Sequence, residues 1–171
     1  DKTMGHNIIR DDLHRHARGA RAAPVLEAAG VLDVLGVDAG VRRGRATEMR
    51  GGRERPADVL LCRAQDVRTG GVQSGSGKVA LDVGVVCPQA PSHVREAAME
   101  SLGAAESYVK QKCGRADTEE RCRAANVRFQ PMIFESLGGV SEEAVVVIKC
   151  LNKLVAENTD TSETEVATQF W

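Results

Sequence analysis

Two aspartates stand where strand-forming runs would bury them. Asp82 interrupts the apolar stretch KVALDVGVVCP, Lys78 to Pro88, and Asp58 opens the shorter run DVLLC. A buried carboxylate is costly unless it is paired, hydrogen-bonded or bound to a metal. In an extended chain alternate residues share a face. Ala80, Asp82, Gly84 and Val86 therefore point one way, and Leu81, Val83 and Val85 the other. If the two runs pair as a hairpin through the Gly- and Ser-rich connection QDVRTGGVQSGSG, both carboxylates converge. Two convergent carboxylates form a hard oxygen site that suits Mg²⁺ or Mn²⁺, with water and substrate phosphate completing the shell. Such a metal generates hydroxide and stabilises the leaving oxygen of a phosphodiester. Each acid also has a plain structural reading: Asp82 bonded to neighbouring backbone, and Asp58 as a turn or strand-start residue.

The remaining chemistry-bearing residues are more scattered. Arg42, Arg43, Arg45, Arg50, Arg53 and Arg55 crowd one Gly-rich stretch, opposed only by Glu48 and Glu54. Net charge is −1, which argues against a dedicated nucleic-acid binder, yet every charge from Glu157 onward is acidic. Without Glu157, Asp160, Glu163 and Glu165 the remainder carries about +3. The arginines are either a phosphate-touching loop or a solvated one. Five cysteines without C-x-x-C spacing fit buried free thiols in a reducing compartment better than a disulfide framework or a zinc site. His6, His14 and His16 do not share one helix face at metal-ligand spacing. GSGK at Gly75–Lys78 precedes a strand rather than a helix, so it is no phosphate-binding loop.

The elements that must position these residues follow from periodicity. At 171 residues the chain is long enough for one domain with a real core. Aromatics make up only 3%, so that core is built from Val, Leu, Ile and Ala. No apolar run reaches the roughly 18 residues a membrane span needs. Ile9, Leu13 and His16 or Ala17 mark an amphipathic helix ending at Gly19. Strands are predicted within Pro24–Val34 and over Val59–Cys62, with a Gly- and Arg-rich loop over Gly36–Arg55. KVALDVGVV is apolar on both faces, as a central, doubly covered strand must be. A single helix is predicted through HVREAAMESLGAAESYVKQKC, capped by Ser92, with Val94, Ala98, Leu102, Ala105 and Val109 as its stripe. A short helix opens on Asp117 and Glu120, and VRFQPMIFE is a strand in which Pro131 signals an edge or bulge. Ser141 starts a last helix, and an acidic, flexible tail is expected over residues 157–171. Strands flanked by helices give an α/β, three-layer sandwich around a mixed sheet of about four strands. Both chain ends read as cut from a longer parent.

RPADVLL, the Gly-rich connection and VALDVGVV together resemble the P-D…(D/E)-x-K core of restriction-endonuclease-like nucleases. GHNIIRDDLHRHA, AAESYVKQK and DTEERCRAANVRFQPMIFESLGG narrow the likeness to the endonuclease-like region C-terminal to the reverse transcriptase of non-LTR retrotransposons. The resemblance spans roughly residues 5 to 156 and rests on the order and spacing of degenerate motifs. It departs from the pattern in two places: Ala57 separates Pro56 from Asp58, and Gly84 stands where the wider superfamily has a lysine. The retrotransposon branch supplies its lysine from the following helix, which makes Lys112 the candidate, with Lys110 second.

The resemblance implies a Mg²⁺- or Mn²⁺-dependent DNA endonuclease that nicks target DNA in the nucleus. Asp58 and Asp82 hold the metal, Glu27 or Asp12 supplies a further acid, and Lys112 orients water or phosphate. Arg42, Arg43, Arg45, Arg50, Arg53 and Arg55 touch the DNA backbone, and Glu135 stands where the family pattern has an acid. The alternative is a catalytically degenerate copy of the fold, serving as a structural or interaction subunit of a protein or ribonucleoprotein assembly. The displaced P-D, the missing strand lysine and the near-zero charge favour it.

Overall fold

A computed structural model describes residues 2–26, 57–67, 77–114 and 118–170. In chain order the elements are α1 (Lys2–Gly19), β1 (Pro24–Leu26), β2 (Val59–Leu61), β3 (Val79–Val86), α2 (Val94–Met99), α3 (Gly103–Gly114), α4 (Thr118–Ala124), β4 (Arg128–Glu135), α5 (Glu142–Thr159) and α6 (Glu163–Phe170). The sheet runs β1-β2-β3-β4, with the first two pairings antiparallel and β3–β4 parallel. It is a mixed sheet, as the element order predicts.

β3 is central because its residues are apolar on both faces. Val79, Leu81 and Val83 turn to one side, where they meet Leu13 and Ala17 of α1 and Ala144, Val147, Ile148 and Leu151 of α5. Ala80 and Val86 turn to the other, with α4 contributing Cys122 and α3 contributing Ala104, Ala105 and Val109. Helices thus cover both faces, a three-layer arrangement. Fully burying each Leu, Ile or Val of these layers contributes about 1.5–3 kcal/mol.

Two predicted segments fold differently. The single helix expected over residues 93–113 is broken into α2 and α3. Glu100 is extended and Leu102 adopts a positive φ of 63°, so the helical hydrogen bonds cannot run through. Ser92 does not cap it; His93 stands at the N-cap without a side-chain bond. Of the expected stripe, Ala105 and Val109 are buried, whereas Val94 is 50% exposed. The acidic segment expected as a flexible tail carries α6, which begins after Asp160 ends α5 in the left-handed conformation and buries Val166. Ser141 caps α5 as predicted, accepting a hydrogen bond from Ala144 N.

Pro131 lies on β4, at the edge of the sheet. All five cysteines are free thiols, and burial pushes Cys122 up to about 11. Among the described residues no helix is long and apolar enough to cross a membrane.

Candidate active site

The site forms where β3 outlives its antiparallel partner. β2 pairs only with Val79–Leu81, while β4 accompanies β3 through Val86. Asp58 stands immediately before β2. Its backbone N–H donates to Leu81 O at 3.0 Å, and its side chain then reaches past the end of the pairing. Asp58 Oδ2 accepts the Val83 N–H at 2.8 Å, replacing the strand partner that β2 no longer provides. Asp82 lies one residue before Val83, facing the α3–α4 layer.

The two aspartates interact directly. The like charge of Asp58, and the hydrogen bond it offers a protonated Asp82, both disfavour ionisation of Asp82. From α3, Lys112 Nζ reaches Asp82 Oδ2 at 2.8 Å, with the two side chains 17% and 22% exposed. Burial, the largest influence, raises the Asp82 pKa; the Lys112 charge and hydrogen bond oppose it, and Asp58 adds to it. Desolvation plus a neighbouring like charge disfavours the ionised form of Asp82, a pattern frequent at functional sites.

Gly84 explains how α3 comes so close. A Cβ there would lie 2.7 Å from Ile133 Cδ1 and 2.8 Å from Tyr108 Cε1. The missing side chain makes room for the Tyr108 ring. Lys112, one helical turn further along α3, reaches over that ring with Nζ 5.7 Å from its centroid. Gly84 therefore admits the helix that carries the lysine, and the lysine itself arrives beside it.

Asp58, Asp82 and Lys112 are thus brought together. The other predicted residues are not part of this cluster or lie elsewhere. Asp12 pairs with Arg15 at 2.7 Å on the surface of α1. Glu135 is four residues along β4 from Pro131, the partner of Asp82, and its Oε1 accepts from Ala105 N at 3.3 Å at the start of α3. Lys110 is exposed on α3. Glu27 and the arginines Arg42, Arg43, Arg45, Arg50, Arg53 and Arg55 lie outside the described residues.

Sequence reasoning missed two neighbours. His6 Nε2 lies 3.2 Å from Asp58 Oδ2, a pairing across 52 residues that no local spacing announces. Tyr108 could have been found, since it stands four residues before Lys112 on the same helical face.

Asp58 accepts at Oδ2 from the Val83 N–H and His6, and Asp82 at Oδ2 from Lys112; each carboxylate also has a second oxygen, Oδ1. Two such oxygens suit a hard divalent cation. Among the described residues no cluster of three or more His, Cys, Asp and Glu forms a protein-only metal cage. Water and substrate oxygens would supply the remaining ligands, as Mg²⁺ commonly requires. No protein-family model, curated protein or solved structure matches the chain.

Proposed function

We propose that this domain is a metal-dependent DNA endonuclease of restriction-endonuclease-like fold and retrotransposon origin, nicking target DNA by phosphodiester hydrolysis. The observation that carries the reading is the convergence of Asp58 and Asp82 from adjacent strands, with Lys112 at 2.8 Å from the second acid. Asp58 and Asp82 would hold Mg²⁺ or Mn²⁺, which when bound supplies an activated water and neutralises charge on the scissile phosphate. Lys112 holds its ammonium over the Tyr108 ring and against Asp82, aimed at the acids and at whatever anion joins them. The half-buried setting strengthens these charge interactions relative to bulk water. The arginines at 42, 43, 45, 50, 53 and 55 would contact the DNA backbone, giving binding that weakens steeply with salt.

Plasmid nicking tests the reading. The purified chain with Mg²⁺ or Mn²⁺ is expected to convert supercoiled DNA to open circles, and Asp82→Ala to abolish this while remaining folded. Undiminished nicking by that variant would overturn it.

One observation favours a second reading, a degenerate copy of the fold acting as a structural or interaction subunit. The polar groups satisfy each other: Asp58 bonds Val83 and His6, and Asp82 bonds Lys112. Each acid thus has a partner within the protein itself. Calorimetry showing no divalent-cation uptake, together with DNA affinity insensitive to salt, would establish this alternative over the first.

A further inference from the structure

We propose, resting on the nuclease reading above, that His6 is a positioning residue of the site, holding the Asp58 carboxylate in place beside Asp82. Two donors meet on one oxygen. His6 Nε2 approaches Asp58 Oδ2 at 3.2 Å, and the Val83 N–H reaches the same atom at 2.8 Å. With Oδ2 engaged from both the helix layer and the sheet, rotation of the carboxylate about its last bond is restrained.

The imidazole also has a neighbour on its own helix. Its Nδ1 lies 3.4 Å from Asn7 Oδ1, so each ring nitrogen has a polar neighbour. The ring is only partly exposed, with a side-chain accessibility of 29% against 23% for Asp58. The result is an unbroken polar chain: His6 from α1, Asp58 before β2, Asp82 on β3 and Lys112 from α3. It passes from one helical layer to the other at the point where β2 stops. Partners that hydrogen-bond a ligating carboxylate orient it, and their loss typically weakens metal binding about 10–100-fold.

The test uses the full chain and Mn²⁺, with affinity read by calorimetry and fold by thermal unfolding. His6→Ala is expected to weaken Mn²⁺ binding about 10-fold. It should lower kcat for nicking while leaving the KM for DNA unchanged. His6→Gln, whose side-chain amide can donate from near the imidazole Nε2 position, is expected to restore most of the affinity. A further readout needs neither metal nor variant. In the metal-free wild-type protein the ¹⁵N resonance of His6 Nε2 is expected to be that of a proton-bearing, hydrogen-bonded nitrogen. An unprotonated Nε2, wild-type Mn²⁺ affinity in His6→Ala, or a His6→Gln variant as weak as His6→Ala would each overturn the inference. The two readings fail separately. If Asp82→Ala weakens Mn²⁺ binding and His6→Ala does not, only the role of His6 falls. If the wild-type chain takes up no Mn²⁺, both fall.

Discussion

Asp58 Oδ2 takes the Val83 N–H at 2.8 Å, so a side chain completes a hydrogen-bond ladder that its own strand is too short to finish. Leu81 carbonyl and Val83 amide face the same side of β3, and Asp58 meets the first with its backbone and the second with its carboxylate. A residue needed to close the sheet is thereby fixed beside Asp82. The structural role keeps Asp58 beside Asp82, where the catalytic reading also needs it.

Replacing Asp82 by Asn removes one of the two acids while keeping its shape. Nicking is expected to fall to background. The metal-free protein offers a second check, because the pKa of Asp82 is raised in the fold, chiefly by burial. A raised carboxyl contributes stability below its ordinary value of 3.8, and that contribution is lost as pH rises through the folded-state value. Urea midpoints of the wild type should therefore decline relative to Asp82→Asn from about pH 4 upward. Parallel pH curves for the two proteins would contradict the burial of that charge.

Lys112→Met keeps an unbranched stem over Tyr108 and removes only the ammonium. The expected loss is about 100-fold in kcat, the scale on which a single aligned donor acts. Mn²⁺ affinity should hold or improve, since Asp82 loses a competing cation. Calorimetry and single-turnover nicking, run together, separate these effects; a wild-type kcat would remove Lys112 from the site.

Gly84→Ala adds one methyl group against Tyr108 and Ile133. Overpacking of this kind costs about 1–3 kcal/mol. Because Tyr108 and Lys112 ride on one helix, activity should fall further than the lost stability explains. Adding Tyr108→Leu should recover part of the unfolding free energy, a coupling that a double-mutant cycle measures. Strict additivity would show that the ring does not limit residue 84.

Arg128→Met tests stability away from the acids. The buried guanidinium donates to the carbonyls of Val67 and Ala64, tying that loop to the start of β4. Leaving two buried carbonyls unsatisfied is expected to cost about 2–4 kcal/mol. Denaturant titration should show it, with Mn²⁺ affinity of the folded fraction unchanged.

Much of this was legible in the residues. The doubly apolar pattern of KVALDVGVV marked the central strand, Pro131 marked the edge, and the Gly-rich connection between two strand signals brought Asp58 beside Asp82. Lys112 followed from family resemblance, and Gly84 then acquired its reason from Tyr108. The break between α2 and α3 was hidden because apolar residues continue at helical spacing across Glu100–Leu102, and only the left-handed backbone of Leu102 reveals the interruption. α6 was hidden by its charge, since among its described side chains only Val166 is fully buried. His6 escaped because its partner is set by how α1 docks, a tertiary fact with no local signature.

Pro131 carries a consequence for assembly. Along β4 the amides of Arg128 and Ser136 point inward to β3, whereas that of Glu135 points outward to Gly139. Position 131 shares the outward parity, so the rim has no donor there, and its carbonyl is already claimed by the Gln130 side chain at 3.0 Å. The missing donor disfavours strand-to-strand pairing of a second copy at this position. β-Pairing with another chain is thereby discouraged along the strand that runs beside Asp82.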